Sequence, residues 1–159
     1  MANEQFHPSN LPFRTKRAVI NSLGSTLALT EDRSGALIIL DRAAGTAVTL
    51  PTTPQVGTYF DFMVSVTNTS VGNKIITGSA SELLVGMILN CDTDSSDAVA
   101  IWKSLVGSSN ISVTLGGSDT TKGGLKGDWV RFTCLNATTW NVEGNTNATG
   151  TVATPFASS

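Results

Sequence analysis

The chain has 159 residues and a mass of 16.5 kDa, which fits one hydrophobic core and excludes a second independent one. Charged residues make up only 14%, against about 25% in a typical soluble domain, so the polar surface must come from Ser, Thr, Asn and Gly. A net charge of -2 excludes a nucleic-acid binder that works by neutralising phosphates, and two cysteines are too few for a disulfide scaffold.

Residues 1–17, MANEQFHPSNLPFRTKR, hold Pro8 and Pro12 and no sustained period, which predicts an extended N-terminal arm. Phe6, Leu11 and Phe13 are costly to leave in water, at about 1.5–3 kcal/mol each, so the arm is expected to lie on its own domain or on a neighbouring subunit. With the basic group Arg14, Lys16 and Arg17 they form the candidate partner-contact residues. No apolar run in this region resembles a secretory signal, and no stretch reaches the span of about eighteen apolar residues that a membrane helix needs. The expectation is a protein made and assembled in a cytoplasm, with no membrane partner.

Short apolar or alternating runs follow at 18–21, 26–30, 36–41 and 47–50, separated by turn-forming groups that include Gly24, Gly35 and Gly45. Leu37-Ile38-Ile39-Leu40 is continuously apolar, as in a strand covered on both faces. From Tyr59 to Thr67 the period is two: Phe60, Phe62, Val64 and Val66 face one way, Tyr59, Asp61, Met63, Ser65 and Thr67 the other. A short strand is predicted at 74–77. Residues 81–90 fit either a helix or a strand; strand is preferred because the neighbours are strands. Further strands are predicted at 98–104 and 111–115, and a hairpin at 129–134 and 139–143 around Leu135-Asn136-Ala137-Thr138. The glycine-rich run 116–124 reads as a flexible loop. Residues 144–159 lack a core period and read as an extended C-terminal tail, with Val152 and Phe156 as anchors. About ten strands at roughly ten-residue spacing make the chain all-β, a single-domain sandwich or barrel of jelly-roll-like form over residues 18–143.

Chemical machinery is hard to find in this pattern. The one histidine, His7, lies in the arm without rigid support for a nucleophilic triad, and His and Cys do not cluster as zinc requires. Asp92, Asp94 and Asp97 alternate loosely, but the run lacks the glycine and terminal glutamate of a calcium loop and reads as a solvated turn. Among Glu31, Asp61, Asp128 and Glu143 no spacing selects a carboxylate pair for glycoside hydrolysis. Gly123, Gly124 and Gly127 do not link a strand to a helix, as a phosphate-cradling loop would. Trp102, Trp129 and Trp140 form a sugar-stacking platform only if exposed, and core positions are commoner in a small β domain. Cys91 and Cys134 sit in apolar or alternating runs and are expected to be buried free thiols. Four N-x-S/T sequons, at Asn68, Asn110, Asn136 and Asn147, follow from the Ser/Thr-rich composition. No catalytic, cofactor or metal residues are therefore assigned, and the chain is expected not to be an enzyme.

The stretch LTEDRSGALIILDRAAGTAVTLP, residues 29–51, resembles a module of virion proteins of tailed bacteriophages. The matching positions are Leu29, Thr30, Ser34, Gly35, Leu40, Asp41, Gly45, Thr49, Leu50 and Pro51; GDWVRFTCLNATTWNVEG, residues 127–144, is similar to the closing hairpin of the same proteins. Where that pattern often has an acidic residue directly before Ser-Gly, this chain has Arg33, with Asp32 one place earlier. A small unit of this kind is most similar to capsid decoration, or cement, proteins. The resemblance implies a non-enzymatic homotrimer on the virion exterior that binds the major capsid protein and stabilises the shell, without touching nucleic acid. Its alternative is a tail-fibre or tail-tip module that binds host surface glycan.

Overall fold

The computed structural model describes residues 17–94 and 98–159. Among the described residues twelve strands form two sheets that pack face to face. They are β1 (Val19–Asn21), β2 (Thr26–Ala28), β3 (Leu37–Leu40), β4 (Ala47–Thr49), β5 (Tyr59–Val64), β6 (Asn73–Ile76), β7 (Leu83–Asp92), β8 (Val99–Ser104), β9 (Ser112–Leu115), β10 (Trp129–Asn136), β11 (Thr139–Ala148) and β12 (Phe156–Ala157). The larger sheet has the order β1-β3-β5-β10-β11-β7-β8 and the smaller β12-β9-β6-β4-β2. No helix among the described residues is long and apolar enough to cross a membrane.

The all-β sandwich read from the sequence is present, and its connectivity is mixed. From β1 to β6 the chain alternates between sheets, so that β1, β3 and β5 pair in parallel in one and β2, β4 and β6 in the other. Three successive coils stack in this way: Val19 lies beside Leu37 and then Asp61, while Thr26 lies beside Ala47 and then Lys74. Strand β10 then runs antiparallel to β5, and β9 antiparallel to β6. Such a winding needs a sharp turn after nearly every strand, which explains the glycines between the runs. Gly45, at φ +86°, is one: a Cβ there would lie 2.2 Å from the Gly72 carbonyl oxygen of the next coil.

Alternating residues fill the space between the sheets. One inner row runs Ile20, Ile38, Phe62, Val130, Gly144, Ile88 and Trp102; the facing row runs Leu27, Val48, Ile75, Val113 and Phe156. Phe62 meets Phe132 edge-on at 5.5 Å between centroids, and Phe60 lies 6.4 Å from Trp140. The matched residues Leu29, Leu40 and Leu50 are core side chains, while Gly35 and Gly45 take positive φ at turns. The Ser34 hydroxyl accepts the Tyr59 amide. Those positions describe one coil of the winding.

Several expectations are corrected. Residues 144–159 are not a tail: β11 continues to Ala148 in register with β7, and Phe156 enters the core from β12 beside β9. The signal was missing because NTNA is held by backbone pairing, with little apolar burial to mark it. The strand preferred for 81–90 is present as Leu83–Asp92 and runs without a break through Gly86, where β7 passes so close to β11 that a Cβ would meet the Val142 carbonyl oxygen at 2.0 Å. Leu37–Leu40 is buried on its core face only; Leu37 and Ile39 are half-buried on the other. Cys134 is buried, but Cys91 is exposed because it points outward from β7.

The 116–128 connection is tied down by two side chains. Asn68 Oδ1 accepts the amides of Ser70, Gly72 and Gly117 at 3.3, 3.0 and 3.2 Å. Asp128 accepts the amides of Gly124, Leu125 and Asn147, at 2.8, 3.1 and 2.8 Å, and the Asn147 side-chain amide at 2.9 Å. Burial pushes the Asp128 carboxyl above its ordinary value, against the pull of those donors.

Candidate functional site: the outer face of the seven-stranded sheet

Because successive side chains in a strand point to opposite faces, the strands that fill the core also print a second pattern on the outside. On the larger sheet that pattern mixes large apolar side chains with charged and amide ones. In register across the seven strands lie Asn21, Ile39, Met63, Trp129, Asn145, Leu89 and Ile101. Met63 is 40% exposed, Trp129 36%, Leu89 37% and Ile101 52%. The adjacent row reads Val19, Leu37, Asp61, Arg131, Glu143, Met87 and Lys103, and Val19 and Met87 are again exposed. Six strand spacings of about 4.8 Å make this face roughly 29 Å wide. The exposed apolar side chains fall into two groups, Met63 and Trp129 on β5 and β10, and Met87, Leu89 and Ile101 on β7 and β8, on either side of the polar β11 residues Glu143 and Asn145; large apolar side chains grouped on one face mark an interaction surface more than singly scattered ones do.

The smaller sheet is different outside. Its rows read Thr26, Ala47, Lys74 and Thr114, and Ala28, Thr49, Ile76 and Ser112. Short side chains and hydroxyls give that face little apolar surface to bury.

At the β1–β3–β5 side of the apolar face the charges are internally paired. Arg131 Nε and Nη2 donate to the two Asp61 carboxylate oxygens at 2.6 and 2.9 Å, and Arg17 forms a second ion pair with Asp61. Arg17 also donates to the carbonyl oxygens of Gly35, at 3.0 Å, and Ala36, at 3.2 Å. The Arg131 guanidinium lies over the Tyr59 ring at 5.2 Å. Burial raises the Asp61 carboxyl, but the hydrogen bonds from Arg131 and Arg17 outweigh it and hold the group below the usual carboxylate value. An ionised carboxylate clamped in this way is a poor proton donor, and the arginines are stiffened as part of the sheet surface.

Of the candidate contact residues, Phe6, Leu11, Phe13, Arg14 and Lys16 lie outside the described residues, as does His7; Arg17 sits at the edge of this face. The carboxylates Glu31, Asp61, Asp128 and Glu143 are dispersed. Glu31 accepts the Gln55 amide, Asp128 lies in the core end, and only Asp61 and Glu143 share a row, with Arg131 between them. Asp92 and Asp94 accept backbone amides from Asp94 and Gly150, while Asp97 lies outside the described residues. Among the described residues no group of three or more His, Cys, Asp or Glu side chains is placed to hold a metal ion. The three tryptophans do not assemble: Trp140 is in the core with its indole N–H on Glu82 at 3.1 Å, Trp102 is half-buried on the inner face, and Trp129 alone stands on the outer one.

The apolar outer face was encoded in the sequence by outward positions such as Met63, Met87 and Leu89, whose meaning depends on which strands become neighbours. No protein-family model, curated protein or solved structure matches the chain.

Proposed function

We propose that the chain is a non-enzymatic virion protein of a tailed bacteriophage, a capsid decoration protein that assembles as a homotrimer and binds the major capsid protein at the outer surface of the shell. The observation that supports this most is the set of exposed large apolar side chains on the outer face of the seven-stranded sheet. Three such faces meeting about a threefold axis remove Met63, Met87, Leu89, Ile101 and Trp129 from water, while the Asp61–Arg131 pair stays satisfied within each subunit. Residues 1–17, the arm read from the sequence, are the proposed contact to the shell, and three linked contacts raise overall binding by roughly 10²–10⁴ over one. The likeness of residues 29–51 and 127–144 to phage virion proteins adds the phage context, and the low charge density suits a surface kept among neighbours.

The test is reconstitution on capsids that lack the protein. Full-length chain is expected to bind in copies that are multiples of three and to raise the shell's resistance to heat. A chain lacking residues 1–16 is expected to trimerise but attach at least tenfold more weakly. Failure of the full-length protein to attach to any capsid surface overturns the proposal.

A further inference from the structure

Beside the smaller sheet, at the turns of the stacked coils, lies a cavity of about 390 Å³, within the range that holds a sugar ring. Its walls include Arg42 and Lys74, with hydroxyls from Ser25, Ser70 and Thr114 and an apolar patch at Val71. No carboxylate lines it among the described residues. The arginines Arg17 and Arg131 are committed to Asp61, and Arg33 to Asp32. Arg42, which lines the cavity, is held by donating from Nη1 to the Gly45 carbonyl oxygen at 2.5 Å, and Lys74 forms no ion pair among the described residues.

Ser70, Val71 and Thr114 also line a second hollow, beside the first, together with Ser118, Thr121 and Lys122. Its one acid, Asp119, is occupied by the hydroxyl and amide of Thr121, at 2.7 and 3.3 Å. The walls are held in place by Asn68, which ties the 70–72 turn to Gly117 through one carbonyl oxygen. Two cations, Arg42 and Lys74, and the hydroxyl-bearing Ser25, Ser70 and Thr114 thus line a cavity whose wall is otherwise largely apolar, with Lys122 in the hollow beside it, on a chain whose net charge is negative. That chemistry matches a ring with an apolar face, several hydroxyls and a carboxylate.

We infer that this groove binds an acidic sugar, a uronate or sialate residue, with Arg42 and Lys74 on its carboxylate and Ser70 and Thr114 on its hydroxyls. The site lies on the sheet opposite the apolar face and does not rest on the capsid reading.

Full-length ¹⁵N-labelled protein titrated with methyl glucuronide and with the methyl glycoside of N-acetylneuraminic acid tests it, with methyl glucoside and acetate as controls. At least one acidic sugar is expected to shift the Gly45, Gly72 and Thr114 amides saturably, at least tenfold more tightly than either control. Arg42→Gln and Lys74→Gln, each with an otherwise unchanged amide spectrum, are expected to weaken that binding at least fivefold. The inference is overturned if neither acidic sugar saturates, if acetate binds as tightly as the sugar, or if both folded variants bind like the wild type.

Discussion

Arg131 holds Asp61 with two near-parallel hydrogen bonds, 2.6 and 2.9 Å, between strands β10 and β5, where the two residues are directly opposite in register. Each strand supplies one partner, so the pair reports on the junction between the coiled half of the chain and the antiparallel half. Asp61→Asn leaves Arg131 and Arg17 without a counter-charge and is expected to cost about 1–2 kcal/mol, after allowance for solvent screening of the half-exposed arginines. The native Asp61 pKa lies below its ordinary 3.8, so its contribution is complete above that value and disappears as pH falls through the native one. Urea unfolding of wild type and Asp61→Asn is therefore expected to show a constant gap above about pH 5 that closes in stronger acid. A gap of the same size at about pH 2 contradicts this role.

Asp128 anchors the 124–128 connection by accepting from four N–H donors. Asn in its place turns one acceptor into a donor facing donors. Unfolding of Asp128→Asn is expected to begin about 2–3 kcal/mol earlier than wild type, with the largest loss of amide protection at Gly124, Leu125 and Asn147. Unchanged protection there would remove Asp128 from the account.

Gly86 has no room for a methyl group beside the Val142 carbonyl, and its φ of +122° disfavours any other residue. Gly86→Ala is expected to lose more than about 3 kcal/mol or to fail to fold. Gly57, whose neighbourhood is open, provides the comparison: Gly57→Ala carries only the cost of its positive φ, about 1 kcal/mol. Equal stabilities for the two variants, measured by thermal unfolding, refute the steric argument.

The two thiols differ in access. Cys91 is exposed, while burial pushes the Cys134 thiol up from its ordinary value. One equivalent of a thiol reagent is expected to react quickly at Cys91 of the folded Met63→Glu monomer, and a second at Cys134 only on unfolding; rapid labelling of both contradicts the placement.

Strand positions were legible because the period-two runs, such as Tyr59–Val64, carry their burial in the side chains. Neighbour order was not: alternation tells which face a residue takes but not whether β3 lies beside β1 or β4. That ambiguity also concealed the outer face, since Met63, Trp129 and Leu89 lie 66 and 40 positions apart in sequence order and meet only through β10 and β11. The end of β11 was obscured for a related reason, because its Asn and Thr residues are ordered by pairing with β7. The turns were easier to read, since close approach of successive coils admits glycine and little else at Gly45.

Self-association through the apolar face is the step on which the account depends, and sedimentation equilibrium of the full-length chain measures it directly. The wild type is expected at three times 16.5 kDa, with Trp129 shielded from an aqueous quencher. Met63→Glu and Leu89→Glu, both outward-facing and dispensable to the core, are expected to be folded monomers. A wild type that stays monomeric at every concentration, or Glu variants that remain trimeric, would contradict it.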